Sequence, residues 1–101
     1  MANYRDPKTI YSPQDMITDV DVIFEDHDTV SIAKIKWNDN NVIGIRWNIA
    51  LREWDDTDKM NGTKECLGLP ISRGYPTWFI LPDQILDKNS DIRKAIDSIK
   101  L

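Results

Sequence analysis

Cysteine and histidine are almost absent from this sequence, which holds one of each in 101 residues. With Cys66 alone, no disulfide can form within the chain and no thiolate metal cluster can be built. His27 stands between Asp26 and Asp28 without partners at a metal-binding spacing, so an exposed turn is its expected place. We therefore expect a buried, inert Cys66 thiol, no metal, no cofactor and no enzymatic activity.

Long apolar runs are also missing. No stretch approaches the roughly 20 residues that a membrane-spanning helix requires, and the N-terminal "MANYRDPKTIYSPQD" lacks the apolar core of a secretory signal. These absences predict a cytoplasmic protein with no membrane association. The length suits one domain over residues 1–101, in which the polar residues 1–11 are expected to form a loosely ordered arm.

Positive charge is missing from residues 15–28, which carry six acidic side chains and no Lys or Arg: Asp15, Asp19, Asp21, Glu25, Asp26 and Asp28. The whole chain has a net charge of −4, which argues against indiscriminate coating of nucleic acid, because that affinity comes largely from neutralising phosphates. Residues 30–54 differ, since their basic side chains (Lys34, Lys36, Arg46 and Arg52) outnumber their acidic ones. A basic face within an acidic chain is the expectation.

Alternating and β-branched residues predict an antiparallel sheet. The segments "TVSIAKIKW" and "VIGIRWNIALREW", separated by "NDN", have the pattern of a hairpin whose second strand runs to Trp54. "SPQDMITDV" carries the signature of a short helical turn. Near the C-terminus, isoleucines recur at helical spacing after Pro82, and Asn89 or Ser90 would cap a second segment if "DKNSD" breaks the helix. The predicted fold is α+β, with about five strands packed against a C-terminal helix.

The register of the hairpin decides which side chains share a face. A three-residue loop over residues 38–40 pairs Trp37 with Asn41 and places Trp47 in the core. The opposite face then gathers Lys34, Lys36, Arg46, Arg52 and Trp54. Cations along a backbone with an aromatic ring to stack under bases are typical of single-stranded nucleic acid binding. The alternative is an ordinary solvated sheet face.

A second cluster surrounds the Gly/Pro loop "SRGYPTWF", where Arg73, Tyr75 and Trp78 lie close in sequence. Loops with aromatic and basic side chains often bind ligands. The same aromatics could instead fold back onto the core, and the sequence leaves both readings open.

The segment "IALREWDDTDKMNGTKECLGLPIS", residues 49–72, resembles the middle of the positive-cofactor-four family of single-strand-binding proteins. The shared pattern is a strand ending in Arg-Glu-aromatic, an acidic loop and a glycine-containing strand. In this resemblance Arg52 and Trp54 match the family's strand and Lys64 its lysine-bearing loop exit. It implies a curved antiparallel sheet, a helix-mediated homodimer and single-stranded DNA as ligand. Here "RGYPTWFILP" is inserted before the C-terminal helix.

The acidic segment motivates a rival prediction, a protein-interaction module that docks on a basic partner. Its contact residues would be Asp19, Asp21, Glu25, Asp26 and Asp28, because unlike charges steer association and a strand edge can extend a partner's sheet. Such a module would act as an inhibitor or adaptor. A phage or mobile-element product that blocks a nucleic-acid enzyme would also fit this description.

Overall fold

The computed structural model of the chain describes residues 2–99, so the two ends of the predicted domain lie outside the described residues. It has the predicted α+β class. One antiparallel sheet has the order β1-β2-β3-β6, formed by β1 (Ile17–Glu25), β2 (Val30–Trp37), β3 (Asn40–Trp47) and β6 (Phe79–Leu81). A smaller sheet pairs β4 (Ile71–Ser72) with β5 (Tyr75–Pro76). The α-helices are α1 (Thr57–Asn61) and α2 (Asp91–Asp97), and 3₁₀ segments lie at Pro7–Thr9, Leu51–Asp55 and Asp83–Leu86.

The loop between β2 and β3 has two residues, Asn38 and Asp39, rather than the predicted three. Both have positive φ angles, 48° and 68°, as in the hairpin turns whose twist matches that of the strands they join. Trp37 therefore pairs with Asn40, and the predicted register is wrong by one residue. Because side chains alternate along a strand, the shift moves every side chain of β3 to the opposite face relative to β2.

The core lies on one face of the main sheet and brings together Ile17, Val20, Ala33, Ile35, Ile10 and Trp78. The indole Nε1 of Trp78 donates a hydrogen bond to the carbonyl oxygen of Ile10 at 2.9 Å. Gly44 permits this packing, since a Cβ there would approach the Trp78 ring to 3.2 Å. Among the residues of "SRGYPTWF", Trp78 thus belongs to the core.

The N-terminal segment helps to cover this face. Residues 1–11 were expected to form a loose arm, but Pro7 and Ile10 are buried, and Tyr4 forms a bridge with Cys66. The segment instead supplies apolar surface that a sheet of this size needs on its core side.

The C-terminal helix was expected to cover the core face, but α2 has no buried residue. Its Ile92 and Ile96 remain partly exposed, as does Ile99 after it. The sequence left open whether the helical pattern is continuous. In the structure it is broken, because Asp83–Leu86 is a separate 3₁₀ segment and the Ser90 hydroxyl caps α2 by accepting from the Arg93 amide. Within residues 2–99, no helix is long and apolar enough to cross a membrane.

Strand β3 ends at Trp47, well before the predicted end at Trp54. Asn48 is buried at the turn that follows. It accepts a hydrogen bond from the Ser31 hydroxyl at 2.8 Å and donates one to the Asp26 carbonyl at 2.9 Å. These bonds replace ladder partners, so the chain leaves the sheet and enters the 3₁₀ segment Leu51–Asp55.

Candidate protein-interaction surface

Arg46 is buried, with 2% of its surface exposed, because the two-residue loop turns it toward the core face. Its guanidinium donates to three backbone carbonyls, those of Leu67, Pro70 and Thr77. Burial lowers its pKa to about 10, although the charge of Glu53 acts in the opposite direction. The prediction that Arg46 is exposed on a basic face is therefore wrong, and the side chain is positioned to hold three backbone segments.

Glu53 is the second buried charge, 4% exposed in the 3₁₀ segment. Its carboxylate accepts backbone N–H bonds from Ala50, Leu67 and Gly68 at 2.7, 2.9 and 2.9 Å. The Lys59 ammonium lies 2.7 Å from it. Burial alone would raise the pKa of Glu53, but Lys59 and the three amides together hold it below its ordinary value. Glu53 is thus ionised, and its carboxylate holds the backbone amides that donate to it.

These two charges hold the same loop, residues 66–70, from two sides. Arg46 binds carbonyl groups of the loop, Glu53 binds its amides, and Trp47 exchanges backbone hydrogen bonds of 2.7 and 3.1 Å with Leu69. Gly68 has φ +67°, and a Cβ there would lie 2.8 Å from the Asn48 carbonyl oxygen. The loop is fixed in one place, and it presents Leu69 at the surface beside Trp47.

An apolar surface surrounds this pair, and we call it the Trp47–Leu69 patch. On one side, an open cavity of about 470 Å³ is lined by Val30, Ile45, Arg46, Trp47, Leu69, Pro70 and Phe79. On the other side, a cavity of about 400 Å³ is lined by Asp28, Thr29, Trp47, Ile49, Leu51, Trp54 and Leu69. Trp47 is 53% exposed and Phe79 59% exposed. The prediction that Trp47 lies in the core is therefore wrong, because the one-residue shift in register turns Trp47 to the opposite face of the sheet.

Charged side chains stand at the rim of the patch. Asp28 lines the second cavity, and Arg52 and Asp55 flank Leu51 and Leu69 at a neighbouring depression. Asp26 also belongs to the turn that contains Asp28, and its carboxylate accepts from the Asp28 amide. The rim thus combines two acidic side chains with one basic one.

The residues predicted to bind nucleic acid do not form one surface. Lys34 and Lys36 are exposed on the face that carries Trp47, but they lie across from Asp21 and Asp19 of β1. Arg52 and Trp54 belong to the 3₁₀ segment, and the Lys64 ammonium lies 3.8 Å from Asp58. Arg73 and Tyr75 are exposed at the hairpin formed by β4 and β5. The predicted basic face is divided among separate elements.

The acidic residues of the rival prediction are all exposed, yet they too are dispersed. Asp19 and Asp21 face the lysines of β2, and Glu25 accepts a hydrogen bond from the Tyr4 hydroxyl. His27 is exposed beside Asp28, at 3.2 Å. Of these acidic side chains, Asp28 is the one that lines the patch.

The patch includes residues that the sequence interpretation assigned to the core or passed over, above all Trp47, Leu69 and Phe79. The available signal was the Asn-Asp pair after Trp37, which suits a two-residue turn as well as a three-residue one. Leu69 had no comparable signal, because its exposure depends on the distant side chains of Arg46 and Glu53.

Cys66 is buried and free, and burial raises the pKa of its thiol. Among residues 2–99, no three His, Cys, Asp or Glu side chains are grouped to hold a metal ion. No protein-family model, curated protein or solved structure shows significant similarity to this chain.

Proposed function

We propose that this protein is a protein-interaction module that binds its partner through the Trp47–Leu69 patch. The observation that carries the proposal is the fixation of loop 66–70 by two buried charges, Arg46 and Glu53. Burying charged groups costs free energy unless their geometry is well satisfied. In this chain the two groups hold exposed Leu69 against exposed Trp47.

The composition of the patch supports protein recognition. Tryptophan is enriched among the side chains that dominate binding energy at protein interfaces, usually beside pockets that lose water on binding. Trp47 stands between two cavities, with Phe79 at one and Trp54 at the other. Contiguous exposed apolar surface of this kind is typical of interaction sites.

The fixed loop favours binding on entropic grounds. Each rotamer-rich side chain or flexible loop that must be ordered at an interface costs roughly 0.5–1.5 kcal/mol. Because pairing with Trp47 fixes the backbone of Leu69, and the amides of Leu67 and Gly68 donate to Glu53, little of the cost of ordering this loop remains at binding. This supports a surface organised before its partner arrives.

Charge supports a basic partner. Asp28 and Asp55 outnumber Arg52 at the rim, the chain has a net charge of −4, and unlike charges accelerate and orient association. The same carboxylates would repel phosphates. This form of the rival prediction differs from the original in its main contact, because apolar side chains take the central role and the acidic residues flank them.

The test is site-specific photo-crosslinking in cells that encode the protein, with a benzophenone amino acid replacing Phe79. The same photoreactive residue at Tyr75, which is equally exposed but does not line the patch, is the matched control. We expect discrete protein adducts from position 79 that persist after nuclease treatment and disappear in a Trp47→Ser background. Adducts shared by position 75, adducts unaffected by Trp47→Ser, recovery of nucleic acid instead of protein, or no adducts would contradict the proposal.

A further inference from the structure

We infer that the partner segment seated on the Trp47–Leu69 patch is an amphipathic α-helix with basic residues beside its apolar stripe. The inference rests on the proposed function and specifies the secondary structure and charge of the occupant. It follows from three features of the patch: its lack of backbone partners, the separation of its cavities and the charge of its rim.

The patch offers almost no backbone to an extended segment. Strand β2 is paired on both sides, by β1 and β3. Strand β3 is paired with β2 on one side, and on the other with β6 and with Leu69. The free edge nearest the patch, that of β6, has three residues and is followed by Pro82, which has no N–H to donate. An added strand would therefore find a very short ladder there.

The side chains of the first cavity cannot replace that ladder. Six of the seven residues lining the first cavity are apolar, and the seventh, Arg46, already donates to three carbonyls. An extended occupant would desolvate backbone N–H and C=O groups without pairing them, at about 1–3 kcal/mol each. A helix carries its backbone hydrogen bonds within itself, so it can bury side chains here without that cost.

Both cavities lie within reach of one helix, because Trp47 and Leu69 line both of them. Ile45 lines the first and Ile49 the second, and four residues of extended chain span at most about 14 Å. Side chains at helix positions i and i+7 are about 10.5 Å apart along the axis. Apolar side chains at positions i and i+7 can therefore enter the two cavities, while those at i+3 and i+4 lie over Trp47 and Leu69.

The rim sets the charge of the helix. Asp28 stands at the second cavity, and Asp55 and Arg52 stand beside Leu51 and Leu69. The rim therefore carries two carboxylates against one guanidinium, and lysine or arginine next to the apolar stripe would meet the excess negative charge. The chain's own α2 has apolar residues at Ile92 and Ile96 and carries two acidic side chains, Asp91 and Asp97, and two basic ones, Arg93 and Lys94. Arg93 is paired with Asp97. Because α2 is neutral overall, a basic helix from a partner complements the rim better than a second copy docked through α2.

The test compares two displayed peptide libraries with the full chain immobilised. One library randomises i, i+3, i+4, i+7 and flanking positions on a helical scaffold, and the other randomises the same number of positions in an extended, proline-containing segment. We expect helical clones with a net positive charge to be enriched. Each should bind at least tenfold more weakly to Trp47→Ser and to Leu69→Ser, and equally well to Tyr75→Ser.

Thermal unfolding establishes that each variant is folded, and sedimentation of the free chain should show a monomer. Enrichment from the extended library alone, enrichment of acidic helices, binders indifferent to both patch variants, or no binder from either library would overturn the inference. A dimer that Trp47→Ser dissociates would assign the patch to a second copy and would also overturn it. If no basic helical clone is enriched but the crosslinks from position 79 persist, this inference is wrong and the proposed function is unaffected.

Discussion

Replacement of Arg46 by methionine tests whether this side chain is a buried clamp or an exposed cation. Methionine keeps a long apolar stem but cannot donate to the carbonyls of Leu67, Pro70 and Thr77. The Pro70 carbonyl still accepts from the Thr77 amide at 3.0 Å. Two carbonyls would therefore lose a charged donor.

The magnitude follows from these contacts. Leaving a buried backbone carbonyl without a partner costs about 1–3 kcal/mol, and two of them give about 2–6 kcal/mol. Methionine also relieves the desolvation that lowers the pKa of Arg46 to about 10, so we expect Arg46→Met to reduce the free energy of unfolding by about 3 kcal/mol. That is a large part of the roughly 5–15 kcal/mol that stabilises most domains.

The assay is urea unfolding followed by circular dichroism at neutral pH, with Arg52→Met as the control. Arg52 is exposed in the 3₁₀ segment, so its replacement should change the free energy of unfolding by no more than about 0.5 kcal/mol. Equal, small effects at the two positions would refute the clamp and would support the register that the sequence first indicated.

Three further predictions concern the same loop. Gly68→Ala should destabilise the fold by about 2–4 kcal/mol, because φ is strained and the new Cβ would clash with the backbone carbonyl of Trp47. Gly74→Ala, with φ +81° and open space around it, should cost about 1 kcal/mol, and equal unfolding midpoints would contradict this difference. Because the pKa of Glu53 is lowered from its ordinary 4.5, its carboxylate stabilises the fold above pH 4.5, and this stability is lost as pH falls through the folded-state value. Glu53→Gln should thus lower the free energy of unfolding by about 2–3 kcal/mol at pH 7, with a gap that closes on acidification; a gap independent of pH in urea titrations would contradict an ionised Glu53. Cys66 should react with a thiol reagent only after denaturation, and prompt modification of the native chain would show that the region around loop 66–70 is open.

The sequence was sufficient for features that depend on local patterns. Alternation identified the β2–β3 hairpin, and Ser90 is one of the two residues suited to cap a second helical segment, as it does for α2. The α+β class follows from these elements together. Cys66, expected to be a buried thiol because it sits in a strand-like pattern, is buried. Each of these inferences needed only neighbouring residues.

The side chains that build the patch depended on information from far along the chain. The register required a choice between two loop lengths that the same Asn and Asp residues allow, and one residue of shift exchanged the places of Arg46 and Trp47. Burial of an arginine is costly unless acceptors surround it, and those acceptors come from residues 67, 70 and 77. No local pattern indicates that they converge there.

The division of the aromatic residues had the same origin. Trp78 is buried because Ile10, in a segment expected to be loose, accepts its indole N–H. Tyr75, three residues earlier, is exposed at the β4–β5 hairpin. The sequence left this pair undecided between core and surface, and the structure places one residue in each.

The patch exists because Trp47 lies at the surface against Leu69 while Arg46 faces inward. Nuclear Overhauser effects from the Trp47 indole in the free protein distinguish this arrangement from the opposite one. We expect cross-peaks from that ring to the Leu69 methyls and to Val30, its cross-strand neighbour. Cross-peaks from the same ring to Ala33 and Ile35 would contradict it, since they would place Trp47 in the core and return Arg46 to the surface.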